Sequence, residues 1–281
     1  MLLSYSTILY TYKEKPMNNE FIEQVNTLME NNKPKKAYKF CQKELLNYAD
    51  KKITKKDKIQ IAEIYYAMGS ILASCKEMEE AVRCLDHAIE HNPKDDSYYY
   101  YRAEMKVAIS QLDSALEDYS KCVRINPTNT YYGKRGSIKL QTGDIKGAIK
   151  DCSKAIELNP TFGGGYLERG RAKLHSENYT GAIDDFSTAI KLYPDYAISY
   201  QYRGDAKRQI GDIKGAIKDY KKLQQLEPRN EIIKQTLKEL TESKKPQKSK
   251  KSKIEEDIKK CKKISITDTT KKIKNLFCKS K

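Results

Sequence analysis

GDIKGAIKD, residues 143–151, recurs letter for letter at residues 211–219. The copies start 68 residues apart, and half that interval organises the middle of the chain. Pro93, Pro127, Pro160, Pro194 and Pro228 follow one another at spacings of 34, 33, 34 and 34. Each closes a similar phrase: AIEHNP, CVRINP, AIELNP, AIKLYP and LQQLEP. Counting back gives five windows, 62–95, 96–128, 129–162, 163–196 and 197–230. Other columns then align. Tyrosine is fourth (Tyr65, Tyr99, Tyr132, Tyr166, Tyr200), a small residue eighth (Gly69, Ala103, Gly136, Gly170, Gly204) and alanine twentieth (Ala81, Ala115, Ala148, Ala182, Ala216).

The spacing predicts a helix–turn–helix unit. The tyrosine and the small residue, four apart, share one face of a first helix. The small residue lets a second helix approach. A turn at Gly143-Asp144 or Gly211-Asp212 leads into that second helix near Lys146 or Lys214, and proline ends it. One such pair cannot bury both of its faces, so the units must stack.

A period of 34 with these columns resembles the tetratricopeptide repeat. The resemblance covers residues 62–230, with tyrosine where the family often places tryptophan, a residue this chain lacks. It implies an all-α, right-handed superhelical solenoid of stacked antiparallel helix pairs. Residues 18–61 read as a degenerate helical pair, with Phe21, Leu28, Ala37 and Cys41 in comparable columns, followed by the Lys-rich link KKITKKDK. NEIIKQTLKEL places Ile233, Leu237 and Leu240 on one face and predicts a capping helix over 231–242. Residues 1–17 read as an N-terminal extension that need not be ordered, and 243–281 as a basic, disordered tail.

Three further columns change together. The seventh, eleventh and twenty-third hold Arg102, Lys106 and Asp118 in window two, and Arg135/Lys139/Asp151, Arg169/Lys173/Asp185 and Arg203/Lys207/Asp219 in windows three to five. Window one has Met68, Leu72 and Cys84 instead. Two cations four apart repel, and an aspartate from the second helix neutralises them. We read an ion pair that braces the unit, since the aspartate cancels the field an anionic ligand would need.

The formal charge of +16 is unevenly placed. Residues 62–228 balance 24 basic against 24 acidic side chains, while 229–281 carry 18 against 7. No stretch approaches the roughly 18 apolar residues of a spanning helix. The N-terminal stretch lacks a basic leader and a small-residue cleavage site, and Met17 is a candidate alternative start. Seven cysteines, odd in number and without a CxxC pair, suit a reducing compartment. CKSK at the end lacks the aliphatic residues of a prenylation signal. These readings point to a cytoplasmic protein.

No catalytic chemistry emerges. GDIKGAIK lacks the phosphate-loop spacing, and Asp144 would repel phosphate. Gly163-Gly164-Gly165 reads as a flexible link between units. Cys84, His87 and His91 lie along one helical face, but their columns elsewhere hold exposed lysines and packing leucines, so we expect no metal. Adjacent acids such as Asp184-Asp185 diverge on a helix. The expectation is a non-enzyme without cofactor or small-molecule substrate.

What the resemblance implies about function lies on the first helices. If they line the concave face of the superhelix, the columns beside the core tyrosine face a groove. These hold Tyr66, Tyr100, Tyr101, Glu104, Lys134, Ser137, Glu168, Arg171, Tyr202 and Asp205. Rigid aromatic residues offer large contact area to an extended peptide at low entropic cost. The expected function is a scaffold or adaptor binding a protein or peptide partner there. Some family members clamp acidic C-termini with Lys, Asn and Arg. Lys134 and Arg171 fit that pattern, but the asparagines are missing. The alternative is electrostatic attachment to nucleic acid or anionic membrane through residues 243–281, where IEEDIKKCKKI places Ile254, Ile258 and Cys261 on one face.

Overall fold

A computed structural model describes residues 19–242, all of whose regular elements are helices. The tail (243–281) and the N-terminal extension (1–17) lie outside these residues. A leading pair, α1 (Asn19–Glu30) and α2 (Pro34–Leu46), precedes five more: α3 (Lys55–Ser74) with α4 (Met78–His91), α5 (Asp96–Ala108) with α6 (Leu112–Ile125), α7 (Asn129–Gln141) with α8 (Ile145–Leu158), α9 (Gly163–His175) with α10 (Tyr179–Leu192), and α11 (Ala197–Gln209) with α12 (Ile213–Leu226). A last helix, α13 (Glu231–Glu242), follows. Each helix packs on its sequence neighbours, as expected of an all-α solenoid.

The turns explain the repeated nonapeptide. The fifteenth residue of every window sits in the left-handed region: Lys76 (φ 67°), Ser110 (φ 63°), Gly143 (φ 88°), Glu177 (φ 61°) and Gly211 (φ 78°). Only glycine adopts that region without steric cost. The next residue, Asp144 or Asp212, then caps the second helix. Its carboxylate accepts from the amide of Gly147 or Gly215 at 2.8 Å. Asn178 does the same for Gly181 at 3.1 Å, whereas Glu77 and Gln111 make no side-chain cap. Units three and five therefore hold the best-formed turn, and they are the units sharing the nine residues.

The twentieth-column alanines are all fully buried between the two helices. The close approach is visible at Gly204, where an added methyl group would lie 2.8 Å from the Tyr220 ring. In units two to five the ionic columns meet. Arg102, Arg135, Arg169 and Arg203 each grip the aspartate 16 residues on with two parallel hydrogen bonds of 2.5–3.0 Å. Lys106, Lys139, Lys173 and Lys207 reach the same carboxylates at 2.8–2.9 Å. Each guanidinium also lies over the fourth-column tyrosine ring of its own helix, 5.5–5.7 Å from the centroid. Three of the arginines reach back one unit, to Asp86, Ser153 and Ser187. The brace thus works within units and between them. Burial pushes the Asp151 carboxyl up, but its bonds to Arg135 and Lys139 outweigh this and hold it below the usual carboxylate range.

Unit one is built differently. Met68, Leu72 and Cys84 are buried in a cluster that also takes in Phe21, Val25, Ala37 and Cys41 of α1 and α2. The ring of Tyr65 lies against those of His87 (4.9 Å) and His91 (6.0 Å). At the other end, Ile233 and Leu237 of α13 cover Tyr220 and Leu223.

Two local expectations are corrected. Half of the Lys-rich link is helical. Thr54 and Asp57 form a reciprocal capping box, with Asp57 accepting from the Thr54 amide at 2.9 Å and Thr54 Oγ1 accepting from the Asp57 amide at 3.2 Å. Helix α3 therefore starts at Lys55, before the first window. Gly163, Gly164 and Gly165 are no flexible link either, since all three lie in the first turn of α9. Phe162 packs over Gly164 and Gly165, and Tyr193 packs over Gly163.

Candidate functional site

The residues proposed for the groove fall into two linked groups on the first helices. In units one to three, Tyr66 on α3 is 1% exposed and Tyr101 on α5 is 5% exposed. Their rings meet at 5.1 Å, and Tyr98 stands 5.4 Å from Tyr66. These two tyrosines support the face from below and offer a ligand no surface. The reason is long-range: the core shared by α1 to α5 covers them.

Tyr100, one position away, is half-buried. It touches Tyr101, Tyr119 and Tyr131 at 5.3, 6.2 and 5.5 Å. Glu104 accepts from the hydroxyl of Tyr119 and pairs with Lys134 Nζ at 2.9 Å. That ammonium also stands 5.9 Å above the Tyr100 ring. The Lys134 side chain is 41% exposed and Glu104 15%, so the lysine forms the accessible rim of this group. Ser137, half-buried, holds in unit three the ninth column that Glu104 holds in unit two.

The second group is on α9 and α11. Arg171 pairs with Glu168 at 2.8 Å within one turn of α9, and its guanidinium lies 5.4 Å from the Tyr202 ring centroid. Tyr202 stacks on Phe186 at 5.7 Å. Asp205 accepts from the Tyr220 hydroxyl at 2.6 Å.

Sequence reasoning missed the partners. Tyr119 and Tyr220 hold the twenty-fourth column of units two and five, and only those units have an acid, Glu104 or Asp205, in the ninth. Unit four pairs Phe186 with Arg171 in these columns, and unit three Cys152 with Ser137. The joint variation is legible once the columns are written out. Tyr98, whose hydroxyl donates to Glu63 at 2.5 Å, and Tyr131, which donates to Asp96 at 2.6 Å, both stand third in their windows and each reaches an acid at the start of the preceding unit. Burial, then the neighbouring carboxylate, pushes Tyr98 and Tyr119 far above the usual phenol range, so both hydroxyls stay protonated donors.

Of the five described cysteines, all but the exposed Cys75 are buried. Burial pushes Cys41, Cys122 and Cys152 up to about 12 and Cys84 to about 11. Among the described residues no group of three His, Cys, Asp or Glu is arranged to hold a metal ion. His91 stacks on Tyr65, and His87 lies tilted against the same ring. No described helix is long and apolar enough to cross a membrane.

Comparison with known proteins agrees with the fold. Family models described as tetratricopeptide repeat match residues 62–95, 130–162 and 167–231. Tetratricopeptide repeat protein 16 of Mus musculus is 33% identical over 55 residues, 20% of this chain and 7% of that protein. A UDP-N-acetylglucosamine–peptide N-acetylglucosaminyltransferase of Giardia intestinalis is 31% identical over 67 residues, 24% of this chain and 4% of that protein. The matched segments are thus a small fraction of either relative. Among solved structures, MamA from Desulfovibrio magneticus RS-1 aligns with a TM-score of 0.57 at 20% identity, covering 62% of this chain and 97% of that one. YrrB aligns at 0.53 and 18%, covering 63% and 92%. The Cut9–Hcn1 structure aligns at 0.60 and 17%, covering 86% and 45%. With its period of 34, its paired helices and these matches, the chain belongs to the tetratricopeptide repeat family.

Proposed function

We propose that this protein is a non-catalytic scaffold whose first-helix face binds an extended peptide segment of a protein partner. The observation that carries the reading is the alternation along that face. Half-buried rings, Tyr100 and Tyr202, each stand beside a partly exposed cation, Lys134 and Arg171, backed by a carboxylate from the same or the neighbouring unit. Such positions are preorganised, so binding costs little side-chain entropy. Each cation can exchange its carboxylate for a ligand's carbonyl or carboxylate without crossing an apolar barrier. Tyr66 and Tyr101 act as the rigid base. YrrB, similar in fold, is described as having an unusual peptide-binding site.

Selection of random peptides on the full chain tests this reading. Enriched peptides should lose about tenfold or more in affinity on Tyr100→Ala or Tyr202→Ala, and Lys134→Glu should shift selection away from acidic residues. Undiminished binding by all three variants at unchanged Tm would refute the assignment.

A further inference from the structure

A second site lies away from the groove columns, between two successive inter-unit turns. Residues 162–164 and 192–196 line an open surface cavity of about 560 Å³, within the range that holds a side chain or small ligand. Its walls include the rings of Phe162, Tyr193 and Tyr196. Tyr193 is 52% and Tyr196 47% exposed, two of the few large apolar side chains that this fold leaves in solvent. The floor is the first turn of α9. A methyl group on Gly163 would come within 2.4 Å of two Tyr193 ring carbons, so the bare Cα is what lets that ring lie against the helix. In the other units the position of Tyr193 holds Asn92, Asn126, Asn159 and Glu227, so the aromatic wall is particular to this junction. One charged residue lines the cavity, the exposed Asp195; no lysine or arginine does.

The rest of the molecule shows what this chemistry accepts. Four times, in units two to five, a tyrosine ring and an aspartate carboxylate hold a guanidinium between them. The cavity supplies the rings and the carboxylate and lacks the cation. We propose that it binds an arginine side chain of a partner peptide, the guanidinium stacking on Tyr193 or Tyr196 and pairing with Asp195. A planar guanidinium suits both contacts: it stacks on an aromatic face and offers parallel donors to a carboxylate. Residues 62–228 carry no net charge, so the local carboxylate of Asp195 sets the sign of the ligand this cavity favours. This site does not depend on the groove reading, because none of its residues belongs to the groove columns.

The test is titration of the full chain with acetyl-Gly-Arg-Gly-amide, followed by NMR at the amides of Gly163, Gly164 and Asp195. The isosteric neutral peptide carrying citrulline is the control. The arginine peptide is expected to shift these resonances saturably, with the citrulline peptide about tenfold weaker or more. Asp195→Asn should weaken the arginine peptide by threefold or more, roughly, at unchanged Tm, and Tyr196→Ala should do the same. Equal binding of the two peptides, shifts at Tyr100 and Lys134 in place of the cavity, or no shift up to about 50 mM would overturn the proposal.

Discussion

Unit one and unit five share a helical scaffold but are braced by opposite chemistry. In unit five Arg203, Lys207 and Asp219 close an ion triad between the two helices, with the aspartate 2% exposed and the cations near 18%. In unit one the same columns hold Met68, Leu72 and Cys84, packed beneath α1 and α2. The difference follows from what each unit is covered by. Two extra helices take the unit-one columns out of water, where an unpaired charge is costly and packing suffices. In later units those columns lie at the edge of the helix pair, where cations keep their stems buried and their heads partly wet. A triad there fixes the helix crossing through a bidentate bond, which apolar contact does not specify.

Exchanging the two chemistries is expected to be asymmetric. Met68→Arg places a charge in the unit-one core without an aspartate to meet it and should cost about 3–5 kcal/mol in urea unfolding. Asp219→Ala leaves two cations facing each other and should cost about 3 kcal/mol, softened by their partial exposure. Arg203→Met removes a cation while Lys207 still answers Asp219, and should cost about 1–2 kcal/mol. Equal losses for Met68→Arg and Arg203→Met would remove the comparison.

Acid should separate the units as well. Asp151 has a folded-state pKa depressed below its unfolded value, so its stabilisation is complete above the unfolded pKa, about 4. It declines as pH falls through the folded value. Stability should therefore drop as pH falls below about 4, and Asp151→Asn, already less stable at neutral pH, should show a shallower drop. An identical pH slope in the variant would contradict the pairing. The smallest effect belongs to the turns. Glu177 occupies the left-handed position that Gly143 and Gly211 fill elsewhere, so Glu177→Gly should stabilise by roughly 1 kcal/mol. A Tm that falls on this change would show that the turn is not strained.

Much of this was readable from the chain. A period of 34 carries the fold because each unit repeats the same packing problem, so Tyr, Gly, Ala and Pro return in register. The joint change of Arg, Lys and Asp announced the triad, since contacting residues vary together. Other features depended on distant parts of the chain. Tyr66 and Tyr101 share the groove columns of Tyr100 and Tyr202, yet α1 and α2 complete the core that covers them, and nothing local to either residue says so. The three glycines read as a link because the rings that need them come from residues 162 and 193. The Thr54–Asp57 cap was legible but sat inside a lysine run that looked like a linker.

Two arginines on α9, two residues apart, separate bracing from recognition. Arg169 grips Asp185 between the helices, while Arg171 lies over Tyr202 on the first-helix face. The most direct test measures Tm and peptide Kd for Arg169→Met and Arg171→Glu, using a peptide selected on the full chain. Arg169→Met should lower Tm and leave Kd unchanged, whereas Arg171→Glu should weaken Kd by about tenfold and leave Tm nearly unchanged. The reverse pattern would contradict both the structural role of the triads and the placement of recognition on the variable columns.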